Sequence, residues 1–395
     1  MITEGQEQLG TFLGHLAREL DVPEELQQQA RAKYDALGDW LKEDSLERFQ
    51  ADSELYSQGS IRLGTMVQPV KEEDDYDIDL VYRRDLAKSS VTQAELKSQI
   101  GEQLEDYLEY LDESEEEVPE LEEKRRCWTL TYRGGFHMDV LPSIPDEEAR
   151  SNNTRDHRDG ILITDKELWY WHPSNPRGYA NWFDEQNKAL LMEERMSMAK
   201  AANVDVEEIP VGIVKTPLRR AVQLLKRHRD HRYCGNPDDR PISIIITTLA
   251  ARAYRGETEP YTVLTSLAAR MPGLIETRDG VYWIANPVNP EENFADKWEK
   301  HPERADRFFE WMEQVRTDIE FALKGGGIHK VAEILGRSFG ESVTQKAASR
   351  YGDEVYGMRK SGALKMAAGT GILGSTGAPV QGHTWFGSRI PDKET

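Results

Sequence analysis

The stretch DYDIDLVY, residues 75–82, decides the fold predicted for this chain. Asp77 and Asp79 alternate in it with Ile78 and Leu80, and successive side chains of a β-strand point to opposite faces. Both carboxylates therefore share one face of the predicted strand, while the apolar pair faces a core. The same alternation occurs on solvent-facing edge strands, but two carboxylates held side by side favour a bound cation.

A second predicted strand, FHMDVLPSIP at residues 136–145, carries a third candidate carboxylate, Asp139. If this strand pairs near the first, Asp139 faces the same cleft as Asp77 and Asp79. Three carboxylates from two strands form an oxygen-rich site suited to two Mg²⁺ ions, which Mn²⁺ can replace. Two such ions can activate an attacking hydroxyl and neutralise a leaving pyrophosphate. The acids at positions 74 and 75 precede the strand and are interpreted as loop charges.

The segment QGSIRLGT, residues 58–65, places Gly59 and Ser60 at a predicted tight turn before the first strand. Glycine lets the backbone approach a ligand closely, and the amides of such turns can bind phosphate. A Gly-Ser pair alone is a weak signal. Together with Asp139 downstream, it favours a phosphoryl-transfer site over an edge strand.

The segment TPLRRAVQLLKRHRD, residues 216–230, predicts a basic helix in an acidic chain. Helical spacing forms an apolar stripe from Leu218, Val222 and Leu225. Lys226 lies on an adjoining face with Arg219 and Gln223, where it can supply counter-charge for a triphosphate. The alternative is a surface helix paired with nearby acids. Ser243, which begins the next apolar run, either caps a helix or contacts phosphate.

The remaining pattern predicts an α+β chain with the strands in its first half. Apolar spacing predicts helices up to about residue 50, and an acidic helix is expected to interrupt the strands between residues 95 and 123. Residues 1–185 are predicted to form the strand-containing core, and residues 186–357 a helical lobe. Residues 358–395 contain a run rich in Gly, Ala, Ser and Thr and are predicted to form a flexible tail.

Composition limits the classes of function. A net charge of −21 over 395 residues repels the backbone of DNA and RNA, so no long nucleic acid is expected as a partner. Mean hydropathy is −0.69, and neither a membrane-spanning run nor a secretion signal is found. Cys127 and Cys234 lack disulfide or zinc-site spacing. We therefore expect a cytoplasmic protein without a membrane partner.

Together these motifs resemble the nucleotidyltransferase superfamily of DNA polymerase beta, poly(A) polymerases and oligoadenylate synthases, whose signature is Gly-Ser, Asp-X-Asp and a later Asp. Within it, the chain is most similar to the bacterial cGAS/DncV-like nucleotidyltransferases, or CD-NTases. The resemblance spans most of the chain and includes PISIIITTLAA at 241–251 and NPVNPEENFADKW at 286–298. It implies a polymerase-beta-like palm with a mixed sheet, a helical C-terminal lobe like that of oligoadenylate synthases, and an active site in the cleft between them.

The resemblance also implies an activity and its residues. Nucleoside triphosphates, ATP among them, would be joined into a cyclic di- or trinucleotide with release of pyrophosphate. The catalytic and metal-binding residues would be Asp77, Asp79 and Asp139, holding two Mg²⁺ ions. The substrate-binding residues would be Gln58, Gly59, Ser60, Lys226 and Ser243. In this family the product is a second messenger of antiphage defence (CBASS) that activates a separate effector protein.

The C-terminal segment GHTWFGS, residues 382–388, resembles ends whose terminal glycine is joined to target molecules in some CD-NTases. Conjugation or regulatory proteins from the same operon are therefore further implied partners. This chain continues to residue 395, so conjugation would require removal of the extra residues.

Two alternatives remain open from the residues. A template-independent nucleotidyltransferase acting on RNA or a small molecule would use the same three carboxylates, although an RNA-tailing enzyme usually has a broad basic surface. A non-enzymatic nucleotide-binding scaffold on a degenerate fold would be expected to have lost carboxylates, and all three are present.

Overall fold

A computed structural model describes residues 3–71, 73–148, 159–167, 170–366, 371, 373–374 and 377–380. The chain divides into two compact units. The larger unit is Leu20–Thr317, and the smaller combines Met1–Glu19 with Asp318–Thr395. The domain boundary predicted at residue 185 falls inside the larger unit. A division there between a strand-rich and a helical part stays a prediction.

A seven-stranded sheet lies in the larger unit. Its strands are β1 Ser53–Ser57, β2 Tyr76–Arg84, β3 Glu120–Glu123, β4 Trp128–Tyr132, β5 Phe136–Pro145, β6 Ile161–Ile163 and β7 His172–Ser174. The order is β1-β2-β5-β4-β3, with β6 paired to β5 and β7 paired to β6. Strands β2 and β5 are parallel, and the other pairs are antiparallel. The two strands predicted to carry the carboxylates are therefore direct neighbours.

One face of this sheet packs against two helices, α2 Glu24–Phe49 and α4 Gln93–Glu113, and a short helix, α3 Gly59–Arg62, precedes β2. The acidic helix predicted between the strands is α4. It begins with a capping box in which the Thr92 hydroxyl and the Glu95 carboxylate bond reciprocally to backbone amides. Its Ile100 and Leu104 are fully buried, and burying each such side chain contributes about 1.5–3 kcal/mol.

The second half of the larger unit is mostly helical. Its helices are α5 Pro176–Glu185, α6 Lys188–Ala202, α7 Pro217–Arg232, α8 Ser243–Ala253, α9 Pro260–Arg270 and the start of α10 Glu303–Lys324. Two hairpins join them, β8 Glu276–Arg278 with β9 Val281–Trp283, and β10 Ala285–Asn286 with β11 Asn289–Asn293. The segment NPVNPEENFADKW therefore contains a structural turn.

Helix α7 is the predicted basic helix, and it lies inside the larger unit. The Thr216 hydroxyl accepts the Arg219 amide at 3.4 Å, and Pro217 occupies the first helical position, a favourable start for a helix. Arg219, Gln223 and Lys226 are all buried. The helix is therefore not at the surface, although the pairing with acids that this alternative included is observed, as between Arg219 and Asp184 at 2.7 Å.

The smaller unit contains α1 Glu4–Glu19, α11 Ile328–Phe339, α12 Glu341–Ser361 and a three-stranded sheet, β12 Lys365–Met366, β13 Leu373–Gly374 and β14 Ala378–Pro379. Helix α12 thus continues past residue 358, where the tail was predicted to begin. The segment GHTWFGS lies outside the described residues. Among the residues that the structure describes, no helix combines the length and apolar character needed to cross a membrane.

Candidate active site

The pairing of β2 with β5 sets four polar side chains in two rows. Asp77 lies in register with His137, and Asp79 lies in register with Asp139. The intervening apolar side chains of both strands are buried in the core, among them Ile78 and Met138. The alternation predicted from the sequence is thus observed, and it brings all three carboxylates to one face of the sheet.

Burial and like charge act on the central carboxyl group. The pKa of Asp79 is raised to about 7, first by burial and then by the charges of Asp77 and Asp139. Near neutral pH this group therefore keeps a proton part of the time unless a cation offsets the neighbouring charges. A divalent cation would favour the fully ionised cluster.

Asp139 is fixed from a third strand. Thr129 on β4 lies in register with Asp139, and its hydroxyl donates a hydrogen bond of 2.5 Å to the Asp139 carboxylate. The Thr129 side chain is itself buried, so its hydroxyl has little access to water. Cys127 lies beside the same carboxylate, and burial raises the pKa of its thiol to about 11. The Asp139 carboxylate is therefore held in a defined orientation.

The donor set fits a divalent cation. One ligand atom each from Asp77, His137 and Asp139 lie within 4.8 Å of one another. Adjacent ligands of an octahedral ion with bonds of about 2.1 Å are about 3.0 Å apart, and opposite ligands about 4.2 Å. The limit of 4.8 Å is slightly wider than such a shell, so the cluster is close to the size of a coordination shell. Asp79 lies beside it, in register with Asp139.

The Gly59–Ser60 turn is fitted against the carboxylates. Gly59 has φ +58°, which favours glycine, and a methyl group added to it would overlap the Asp79 carboxylate. The Gln58 amide donates to the Asp79 carbonyl at 2.9 Å, and the Ser60 carbonyl accepts the Thr65 amide at 2.9 Å. The turn that carries Gln58, Gly59 and Ser60 therefore lies against Asp79, and its role in binding substrate stays a prediction.

Lys226 approaches the same turn from α7. Its ammonium group donates to the Thr65 hydroxyl at 3.1 Å and to the Thr65 carbonyl at 3.2 Å. Burial lowers the pKa of Lys226 to about 7, and its charge in turn acts to lower the pKa of Asp79. The helix therefore brings a cation next to the turn and the carboxylates.

Ser243 has a different neighbour. Its hydroxyl accepts a hydrogen bond of 2.9 Å from Arg229 on α7, and α8 begins at Ser243 with Ile242 at the N-cap position. The side chain of Ser243 therefore does not cap α8. It is tied to the basic helix three residues beyond Lys226.

An ion-pair cluster fastens the turn to α7. Asp184 on α5 accepts from Arg62 at 3.0 Å and from Arg219 at 2.7 Å. Lys215 donates to the Gly64 carbonyl at 2.9 Å. The segment that carries Gly59 is thereby held between the sheet and the helical part of the larger unit.

Two residues of this site were not predicted. His137 stands two positions before Asp139, so strand alternation already placed it on the same face. Thr129 is the inward hydroxyl of WTLTY, residues 128–132, but only the pairing of β4 with β5 shows that it meets Asp139. The order of strands in the sheet was the missing information.

Comparison with known proteins finds one matching family and relatives that align over almost their whole length. Residues 53–142 match the family described as cyclic GMP-AMP synthase DncV-like, nucleotidyltransferase domain. The chain is 29% identical over 389 residues to a c-di-GMP synthase of Roseivirga ehrenbergii, which covers 96% of this chain and 97% of the relative. It is 26% identical over 409 residues to the cyclic dinucleotide synthase CdnG of Bradyrhizobium diazoefficiens. That alignment covers 96% of this chain and 95% of the relative.

Solved structures share the fold. CdnG of Bradyrhizobium diazoefficiens in complex with GTP aligns with a TM-score of 0.67 at 22% identity, covering 87% of this chain and 99% of that one. CdnC of E. coli MS115-1, solved with HORMA-deltaN, aligns with a TM-score of 0.60 at 14% identity. The alignment covers 84% of this chain and 96% of CdnC. The α+β fold predicted from the sequence, a polymerase-beta-like mixed sheet with a helical C-terminal lobe, is confirmed.

Proposed function

Since this chain belongs to the cGAS/DncV-like nucleotidyltransferases, we propose that it joins two molecules of GTP into a cyclic dinucleotide. The single observation that carries the proposal is the register of β2 and β5, which sets Asp77, Asp79 and Asp139 on one face beside the Gly59 turn. GTP is proposed because the relative from Roseivirga is named a c-di-GMP synthase and CdnG was solved with GTP. ATP remains a candidate second substrate.

The proposed reaction is a repeated phosphoryl transfer. The 3′ hydroxyl of one nucleotide attacks the α-phosphorus of the other, an oxygen–phosphorus bond forms, and the bond to pyrophosphate breaks. A second, intramolecular transfer of the same kind closes the ring. Asp77, Asp79 and Asp139 would hold two Mg²⁺ ions, for which Mn²⁺ can substitute, and these would activate the hydroxyl and neutralise pyrophosphate.

The residues around the carboxylates orient the substrates. The amides of Gly59 and Ser60 would bind the donor triphosphate, with Gln58 at the border of the pocket. Lys226 would add positive charge behind Thr65. Ser243 would act from the adjoining helix through its contact with Arg229. Positioning of this kind supplies much of the rate enhancement in phosphoryl transfer.

The alternatives are less well supported. RNA tailing is disfavoured by the net charge of −21, because a long anionic substrate would be repelled by most of the surface. A nucleotide-binding scaffold would not require Thr129 to hold Asp139 in a fixed orientation.

Product analysis tests the proposal. The purified chain is incubated with GTP alone, ATP alone or both, with Mg²⁺ or Mn²⁺, then treated with phosphatase and analysed by mass spectrometry. A phosphatase-resistant product with the mass of cyclic di-GMP, formed from GTP alone, is expected. Formation only when ATP is also present would overturn the choice of GTP, and solely linear products would overturn cyclisation.

We further propose that this product is a second messenger of antiphage defence that acts in the cytoplasm on a separate effector protein. Proteins from the same operon would conjugate or regulate the chain. Phage plaque counts test this role in cells that carry the operon with the wild-type chain or with Asp139→Asn. Equal plaque counts for the two strains would contradict it.

A further inference from the structure

His137 is a side chain of the cluster that the carboxylate scheme does not use. It lies in register with Asp77 on the neighbouring parallel strand, and its Nε2 atom is 3.4 Å from the Asp77 carboxylate. Strand alternation places its ring on the same face as Asp139. The exposed fraction is 29% for the His137 side chain and 59% for Asp77, so the imidazole is the more enclosed of the pair.

The distances are close to those expected when three ligands share one ion. Ligand atoms of Asp77, His137 and Asp139 all lie within 4.8 Å of one another. The His137–Asp77 separation of 3.4 Å is close to the distance of about 3.0 Å expected for adjacent ligands of an octahedral ion. An ion bound between the two strands would therefore meet a nitrogen as well as carboxylate oxygens.

The chemistry of that nitrogen affects which metal binds. Mg²⁺ prefers oxygen ligands and water, whereas first-row transition ions bind imidazole nitrogen more strongly, with Mn²⁺ the weakest binder of that series. We propose that His137 is a ligand of the divalent-cation site and shifts its preference from Mg²⁺ towards transition ions such as Mn²⁺. The inference shares one assumption with the proposed function, namely that the same carboxylates hold the ion. It differs from a role in which His137 merely orients Asp77 through a hydrogen bond.

Electron paramagnetic resonance with Mn²⁺ as the probe tests the ligand directly. The wild-type chain, labelled with ¹⁵N-histidine, is loaded with Mn²⁺ alone and with Mn²⁺ plus a non-hydrolysable GTP analogue. Pulsed measurements are expected to show a ¹⁵N coupling typical of a bound imidazole. The coupling should disappear in His137→Gln and persist in His329→Gln, a control at an exposed histidine of α11.

Affinities supply the second readout. Competition between Mn²⁺ and Mg²⁺ for the site is measured for the wild type, His137→Gln and His329→Gln. Circular dichroism checks that His137→Gln is folded. The ratio of Mn²⁺ to Mg²⁺ affinity is expected to fall at least tenfold in His137→Gln and to stay unchanged in His329→Gln. Equal weakening of both ions would overturn the inference and leave His137 as a residue that orients Asp77.

The two proposals can fail separately. A wild-type chain that binds Mn²⁺ without a histidine coupling, yet forms the cyclic product, would refute the ligand role of His137 and leave the proposed function standing. A chain that shows the histidine coupling but makes no cyclic product would refute the proposed function and leave His137 as a metal ligand. If His137→Gln fails to fold, a wild-type spectrum without a ¹⁵N coupling would still refute the ligand role.

Discussion

At the scale of single residues, Gly59 is held by two separate constraints. Its φ of +58° is costly for other residues, and any Cβ would overlap the Asp79 carboxylate. We expect Gly59→Ala to displace Asp79 and to abolish detectable product. Backbone strain should also lower the free energy of unfolding by about 1–3 kcal/mol. Urea unfolding and product formation measure the two effects.

Gly280→Ala is the matched control. Gly280 has φ +84°, but an added methyl group would meet open space. This variant should therefore show the strain without the loss of product. Full activity of Gly59→Ala would contradict the close fit between the turn and Asp79.

Thr129 is expected to orient Asp139 without contacting the substrate. Thr129→Val keeps the shape of the side chain but removes the hydrogen bond to the carboxylate. Loss of such a supporting bond typically costs 10–100-fold in activity or metal affinity, and we expect kcat to fall by about this factor. Thr129→Ser retains the hydroxyl and should remain within about threefold of wild type. Equal rates for the Val and Ser variants would argue against the orienting role.

The proposed contact of Lys226 with the triphosphate predicts that nucleotide binding depends on pH. Because burial lowers its pKa to about 7, the ammonium is charged below that pH and loses its proton above it. If the charged form binds the triphosphate, affinity for GTP should decrease as pH rises from 7, by at most about tenfold per unit. Titration of nucleotide binding between pH 6 and pH 9 measures this decrease.

Lys226→Arg provides the reference, since arginine stays charged throughout this range. Its GTP affinity relative to wild type should increase with pH. A constant ratio between the two proteins would show that Lys226 does not contact the triphosphate as a cation.

At the scale of elements, the register of β2 and β5 and the position of α7 build the site. Asp184 on α5 links them, because it pairs with Arg62 after the turn and with the fully buried Arg219 on α7. Asp184→Asn would leave a buried guanidinium without its charge partner. We expect the free energy of unfolding to fall by about 3 kcal/mol, measured by urea denaturation.

An exposed pair serves as the comparison for Asp184. Glu313 pairs with Arg316 one turn away on α10, where water screens both charges. Glu313→Gln should leave the unfolding midpoint unchanged. If Asp184→Asn behaved in the same way, the link between the turn and α7 would not contribute to stability.

Local patterns predicted the elements, but not how they meet. Alternation placed Asp77 and Asp79 on one face, and helical spacing placed Lys226 on α7. The sequence could not show that β2 pairs with β5 in the register that aligns Asp79 with Asp139, since register depends on contacts distant in the chain. For the same reason Thr129 was missed and α7 could be interpreted as a surface helix, whereas alternation alone could have placed His137 on the face of Asp139.

At the scale of the whole molecule, the chain is highly acidic, but a buried lysine, Lys226, lies beside the turn that precedes the carboxylates. The net charge is −21, yet buried basic side chains of α7 lie beside the turn that carries Gly59. Such a distribution suits a small triphosphate, which can reach a local positive region, better than a long polyanion. The residues predicted for the site all lie in the larger unit, Leu20–Thr317.

The proposed activity depends on three carboxylates acting together, and a comparison of matched aspartates tests this. Asp139→Asn and Asp79→Asn are incubated with GTP and Mg²⁺ or Mn²⁺, next to wild type and Asp74→Asn, a loop acid outside the cluster. Phosphatase-resistant cyclic dinucleotide is then measured by mass spectrometry. We expect wild type and Asp74→Asn to form it, and the two cluster variants to form none. Equal product from a folded Asp139→Asn protein and wild type would contradict the assignment of the active site.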